Sequence, residues 1–138
     1  MLHTVNVSIG IVSTGKPLAM RGFDAVSYFS DSLPRRGSAE HVIDHGGAAY
    51  YFATAANAEM FFDNPARYVP AYGGFCTYGI SLGKKFDGDP MIYRIIKGRL
   101  YFSLNNKIAN YFNESIERTI ADADAIWPTI AEKSSGEL

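Results

Sequence analysis

Apolar and polar residues alternate along residues 5–12, where Val5, Val7, Ile9 and Ile11 fall on one side of an extended chain. That period of two predicts a strand. Thr14-Gly15-Lys16-Pro17 predicts a turn. Asp24 precedes Val26, Tyr28 and Phe29 and is placed to cap a short helix that carries them inward. Residues 31–37, with Pro34 and the pair Arg35-Arg36, read as a loop. Two β-prone runs, 40–44 and 49–53, flank Gly46-Gly47. A tight two-residue turn needs positive φ at both central positions, so these runs predict a hairpin. Thr54 then stands as the N-cap of a helix over 55–63, with Met60, Phe61 and Phe62 as its apolar side and Ala58 beside them. Asn64-Pro65 stops that helix, because the residue before proline avoids helical torsions, and Pro65 starts one further short turn ending near Tyr68.

Residues 70–83 leave this pattern, mixing four glycines with aromatic residues around Cys76. A turn at Asp87-Gly88-Asp89-Pro90 follows. A second hairpin is predicted from 92–96 and 99–103 across Lys97-Gly98, then helices over 105–112 and 116–127, the second closed by Pro128. The sequence shows no internal repeat, low-complexity tract or long linker. The expected fold class is α+β: a small antiparallel sheet built from hairpins and covered by short helices, in one compact domain. Residues 1–17 are read as an N-terminal strand and lead-in, 18–130 as the domain with a C-terminal helical extension, and 131–138 as a polar, frayed tail.

Composition narrows the partners. A chain of 138 residues with 47% hydrophobic and 14% aromatic content holds enough apolar surface for one core. Thirteen basic and 14 acidic residues give a net charge of −1 without a like-charged block, so nucleic acid is not an expected partner. No run approaches the roughly 20 apolar residues of a membrane span. One cysteine, Cys76, excludes an intramolecular disulfide and a cysteine-based zinc cage. The N-terminus lacks a charged, then apolar, export signal, so the chain is expected to be either cytosolic or a mature form whose signal has been removed.

Candidate chemistry starts at Cys76. It is either a reactive thiol, activated by a helix that starts nearby, or a small buried hydrophobe in a tight turn. With no second cysteine, a redox cycle would need a partner thiol or the Cys76 of a second subunit. His41 and His45 lie four apart on a predicted strand, a span of roughly 13 Å, too far for both rings to share one ion. One of them would still suit a mixed nitrogen–sulfur copper site with Cys76; otherwise both are exposed hairpin residues. Asp24 is a cap or a metal ligand. Asp87 and Asp89 read as a turn, since the calcium loop with its closing Glu is absent. Tyr28, Tyr72, Cys76 and Tyr78 would line the default ligand cleft if the aromatic set leaves one, although tyrosines of this density are most simply core. Arg118, Asp122 and Asp124 read as a solvated helix face.

Several segments resemble YHS-domain proteins, in motif order over roughly residues 18–130. Gly22-Phe23-Asp24-Ala25-Val26-Ser27-Tyr28-Phe29 is similar to the family's opening motif G-Y-D-P-V-A-Y-F. Gly37-Ser38-Ala39-Glu40, then Tyr50-Tyr51-Phe52-Ala53-Thr54-Ala55-Ala56-Asn57 and Asn64-Pro65-Ala66-Arg67-Tyr68, resemble its next loop, its strand and helix start, and its N-P-x-x-Y helix end. Tyr72-Gly73-Gly74-Phe75-Cys76-Thr77-Tyr78-Gly79 is similar to the Y-G-G-Y-C-x-Y-G stretch of the longer stand-alone members. Gly88-Asp89-Pro90, Leu100-Tyr101-Phe102 and Ala123-Asp124-Ala125-Ile126-Trp127-Pro128 resemble that subgroup's C-terminal half.

The resemblance implies metal association, copper above all, because YHS domains occur on copper-transporting ATPases and some hydroxylases. In metal-binding members that role belongs to cysteines, and here Ser27 and Ala53 hold both positions. Serine is a poor ligand for soft metals and alanine is none. Export signals on stand-alone members imply a periplasmic or other extracytoplasmic site. Three expectations follow. The first is a non-catalytic binding module for a small ligand, a partner or a metal ion, with copper or zinc as candidate ions and Cys76, His45, His41 and Asp24 as candidate ligands. The second is a thiol-dependent redox or metal-relay protein using Cys76. The third is a structural module that assembles as a homodimer.

Overall fold

Two β-hairpins, each followed by a capped helix, frame the chain in the computed structural model, which describes residues 2–30 and 33–138. Strands β1 (Ser38–His45) and β2 (Ala48–Phe52) pair antiparallel, as do β3 (Asp89–Ile96) and β4 (Arg99–Ser103). Both turns are left-handed at both central residues, with φ of 58° and 86° at Gly46 and Gly47 and 52° and 78° at Lys97 and Gly98. The described helices are α1 (Ser27–Ser30), α2 (Ala55–Asp63), α3 (Pro65–Tyr68), α4 (Thr77–Ser81), α5 (Asn106–Glu114) and α6 (Ile116–Ile130). Thr54 caps α2, its Oγ1 accepting from the Asn57 N–H at 3.1 Å. Asn105 caps α5, its Oδ1 accepting from the Ile108 N–H at 2.9 Å. The result is the expected α+β class, with two two-stranded sheets in place of one. Of the loop expected at 31–37, Asp31 and Ser32 lie outside the described residues.

The chain also contains an internal repeat, contrary to the sequence reading. A shift of 51 positions lays Ser38 on Asp89, Gly47 on Gly98, Thr54 on Asn105 and Asn64 on Ser115, so β1-β2-α2-α3 matches β3-β4-α5-α6 in order and register. Each hairpin carries a register irregularity at the same place, between Ser38 and Val42 and between Asp89 and Tyr93. Ahead of the hairpins the shift is 52, Asp24 to Cys76. There a left-handed turn at Met20-Arg21-Gly22 (φ 55°, 49°, 81°) matches one at Tyr72-Gly73-Gly74 (56°, 62°, 90°). The Asp24 N–H donates to the Arg35 carbonyl at 2.8 Å, and the Cys76 N–H to the Phe86 carbonyl at 3.0 Å. Gly37 and Gly88 are equivalent too, and neither has room for a Cβ: it would strike the Tyr51 backbone at one and the Gly74 carbonyl at the other. The repeat escapes sequence inspection because backbone geometry can be met by different side chains. Lys-Gly replaces Gly-Gly in the turn and Asn replaces Thr at the cap.

The two units, residues 20–68 and 72–130, are interlocked. One core gathers Phe23, Val26, Tyr28, Phe52, Phe61 and Tyr68 around Leu100 and Phe102, which come from β4. The other joins Tyr72, Ile80, Tyr101, Phe112, Ala123 and Ile130. Equivalent aromatic pairs anchor both: Tyr50 on Phe61 at 4.9 Å and Tyr101 on Phe112 at 6.1 Å between ring centroids. On α2 only part of the expected apolar side is used. Ala58 and Phe61 are buried, while Met60 and Phe62 are 46% and 67% exposed, since consecutive helical residues point about 100° apart.

Both chain ends depart from expectation. Residues 5–12 form no regular strand: Val7 bridges Ala19, and the Asn6 N–H donates to the Gly73 carbonyl at 2.9 Å, but Ile9 and Ile11 point into solvent. Val5 and Val7 on the same side still pack on the first core, and the alternation loses its support only beyond them, at Ile9 and Ile11. Pro128 sits inside the last turn of α6 and does not close it. The tail is pinned where fraying was expected. The buried Lys85 ammonium donates to the carbonyls of His3 (2.7 Å), Ala131 (2.8 Å) and Lys133 (2.6 Å) and lies over the Phe75 and Trp127 rings. Leu138 packs on the second core. Among the described residues no helix is long and apolar enough to cross a membrane.

Candidate functional site

Asp24 is fully buried and serves as the expected cap, and as more than a cap. Its Oδ1 accepts from the N–H groups of Val26 (2.8 Å) and Ser27 (3.1 Å). Its Oδ2 accepts from the Ala53 N–H (2.9 Å) and the Asn57 amide (2.8 Å). The carboxylate thereby ties α1 to the end of β2 and the start of α2, and both oxygens are committed within the chain. Ser27 is equally engaged, its hydroxyl donating to the Asp24 carbonyl at 2.6 Å and accepting from the Arg35 N–H at 2.9 Å.

Cys76 occupies the equivalent place in the second unit. Burial pushes its thiol up, while the backbone N–H groups of Gly79, Leu104 and Tyr78 pull the other way with less effect. Those three donors are the counterparts of Ser27, Ala53 and Val26 around Asp24. The position of the fourth donor, Asn57, is held by Ile108. A fully enclosed thiol with a raised pKa is the inert form of cysteine.

The cleft expected from Tyr28, Tyr72, Cys76 and Tyr78 does not assemble as one wall. The Tyr28 hydroxyl donates to the Pro90 carbonyl at 2.7 Å, and its ring packs on Tyr93 and Phe102. Tyr78 stacks on Tyr111 with centroids 5.6 Å apart. Tyr72 alone of the four lines the cleft at the junction of the two units, where it meets His45. Of the metal candidates, Asp24 is saturated, Cys76 is enclosed, His41 sits partway along β1 and His45 ends that strand. Among the described residues no three His, Cys, Asp or Glu side chains group so as to hold a metal ion.

The junction cleft has a volume of about 410 Å³. The first unit contributes His45, Gly46 and Tyr50 from its hairpin and Ala66 and Val69 from around α3. The second contributes Tyr72, Gly73, Arg99 and Trp127, and Thr4 and Val5 cross one edge. Gly73 is required here, because a Cβ would run into the Thr4 carbonyl. The Tyr72 hydroxyl donates to Asp124 Oδ1 at 2.7 Å, and Arg99 Nη1 lies 3.4 Å from the same oxygen. The Arg99 guanidinium sits over the Tyr72 and Tyr101 rings, 5.4 Å from each centroid. Burial, then the bond to Asp124, raises the Tyr72 phenol pKa. Tyr50 is 3% exposed, and burial pushes its phenol up to about 12. Its ring touches His45 and Phe61, and its hydroxyl has no hydrogen-bond partner among the described residues.

No family model, curated protein or solved structure matches the chain. What the cleft can bind therefore follows from its own chemistry. The equivalent place in the second unit is a groove of about 720 Å³ whose walls are more apolar, with Ile96, Tyr101 and Ile120 where the first has His45, Tyr50 and Val69. Three residues of the junction, Tyr50, Arg99 and Asp124, were not signalled by the sequence. Tyr50 read as one strand aromatic among several, and Asp124 as a solvated charge. A search for residues 51 apart would have paired Tyr50 with Tyr101 and marked both hairpin faces.

Proposed function

We propose that the chain is a YHS-type domain acting as a non-catalytic binding module, with its ligand in the junction cleft. The observation that carries the site is the Tyr50 hydroxyl, which opens on the cleft from a nearly enclosed side chain and has no hydrogen-bond partner among the described residues. Its ring is held against His45 and Phe61, so the hydroxyl is a fixed donor that a ligand acceptor can meet. Binding is favoured over catalysis by the lining: apolar walls and hydrogen-bond donors, with the Asp124 carboxylate engaged by Tyr72 and Arg99 and the Cys76 thiol enclosed elsewhere. The family reading is supported by the convergence of its motifs. Asp24 from the opening motif holds Ala53 and Asn57 from the strand–helix motif. Ser27 and Ala53, at the positions of the metal-binding cysteines, both give their backbone N–H to that carboxylate. The region is saturated by the chain's own bonds, which favours a ligand site elsewhere.

The test is an NMR-monitored screen of small organic molecules against the full chain. Binders should shift resonances of Tyr50, Tyr72 and the Trp127 indole, and Ala66→Trp, which fills the cleft, should abolish those shifts. Shifts that survive Ala66→Trp would move the site. A parallel titration with Cu(I), Cu(II) and Zn(II), beside Cys76→Ala, addresses metal. Tight stoichiometric binding that the variant loses would replace the small-ligand reading.

A further inference from the structure

The groups around the junction cleft select a class of ligand, an inference that rests on reading this cleft as the binding site. The lining side chains that can carry charge, His45 and Arg99, are both basic. Arg99 uses Nη1 for its contacts with Tyr101 and Asp124, each at 3.4 Å. Its Nη2 and Nε are left for a second planar acceptor, the arrangement in which a guanidinium grips a carboxylate. Tyr50 adds a neutral donor. Val5, Val69, Pro70 and Trp127 supply apolar wall beside these donors, and a volume of about 410 Å³ suits a small molecule.

We propose that the junction cleft binds a small monocarboxylate with an apolar body, its oxygens accepting from Arg99 and the Tyr50 hydroxyl and its body lying against Val69, Pro70 and Trp127. The chain's single tryptophan lines the cleft, so its fluorescence reports occupancy directly. The full-length protein is titrated with benzoate and hexanoate, with benzamide and hexanamide as neutral isosteres, and with inorganic phosphate. Saturable quenching by the carboxylates is expected, with the amides at least about tenfold weaker, since a hydrogen bond to a charged group is worth that much or more. Arg99→Met should weaken carboxylate binding about tenfold or more. Tyr50→Phe, which keeps the ring on Phe61 and so keeps the fold, should weaken it several-fold. Amides that bind as tightly as carboxylates would overturn the ligand class and leave the cleft standing as a site. Phosphate that binds as tightly would mean that charge alone is read and would overturn the apolar body. No response of Trp127 to any of the five, together with unshifted Tyr50 and Tyr72 resonances, would overturn both the class and the site.

Discussion

The two repeat units hold different chemistry in one backbone frame. In the first, three backbone N–H groups and the Asn57 amide surround the Asp24 carboxylate. In the second, the equivalent N–H groups face the Cys76 thiol, and Ile108 stands where Asn57 would be. A backbone nest of this kind accepts either group. What differs is the extra donor: a buried carboxylate needs every lone-pair direction answered, whereas a neutral thiol tolerates an apolar neighbour. The hairpin faces diverge in the same way. One carries His45 and Tyr50 and forms the junction cleft, while the other carries Ile96 and Tyr101 and forms a groove with more apolar wall, edged by Lys97, Arg99, Glu117 and Asp124. A repeated scaffold has kept its geometry and separated its surfaces.

The largest expected effect comes from removing the fully bonded member. Asp24→Ala strands four donors and should cost roughly 4 kcal/mol or more by urea denaturation, whereas Cys76→Ala should cost about 1 kcal/mol. Equal losses would mean that the two nests are not used differently. Next, Cys76→Asp should destabilise by roughly 3 kcal/mol, because Ile108 offers the new carboxylate no donor, and adding Ile108→Asn should return about 1 kcal/mol. A double variant no better than the single would break the equivalence of the two sites.

Alkaline titration tests the enclosed phenols. Burial raises Tyr50 from its ordinary 10.0 to about 12 and moves Tyr28 and Tyr72 in the same direction. The folded state therefore holds these protons more tightly than the unfolded state. The stability they contribute is full below about pH 10 and is lost as pH rises, for Tyr50 through about 12. The Tyr50 share is on the order of 2–3 kcal/mol, and Tyr50→Phe should flatten that part of the urea-midpoint profile above pH 10. The smallest effect is at Thr77, whose buried hydroxyl has no partner among the described residues and whose counterpart in the first unit is Ala25. Thr77→Val should raise stability by about 1 kcal/mol in thermal unfolding, and a loss would reveal a hidden partner for the hydroxyl.

The hairpins were legible in the residues because their signals are local. Gly46-Gly47 and Lys97-Gly98 fix the turns, Thr54 satisfies an N–H three residues on, and Pro65 ends α2 without help from the rest of the chain. Asp24 was recognised as a cap from the same short-range logic, but its bonds to Ala53 and Asn57 span much more sequence and carry no pattern. The candidate site was half visible: Tyr72 was named as a cleft residue and His45 as a metal candidate, whereas Tyr50 and Arg99 were named as neither. Periodicity also overreached, since Met60 and Phe62 were assigned to a buried side that α2 can give only to Ala58 and Phe61.

The sequence by itself determined the class of fold, the order of hairpins and helices and the caps that bound them. Each of these depends on a residue and its near neighbours. Tertiary structure alone decided the internal repeat, the shared nest of Asp24 and Cys76, the Lys85 clamp on both chain ends and the cleft where Tyr50, Tyr72 and Arg99 meet. The first three are made largely by backbone N–H and carbonyl groups, which nearly every residue carries alike, and the cleft by side chains far apart in sequence, so their pairing is set by where the chain passes.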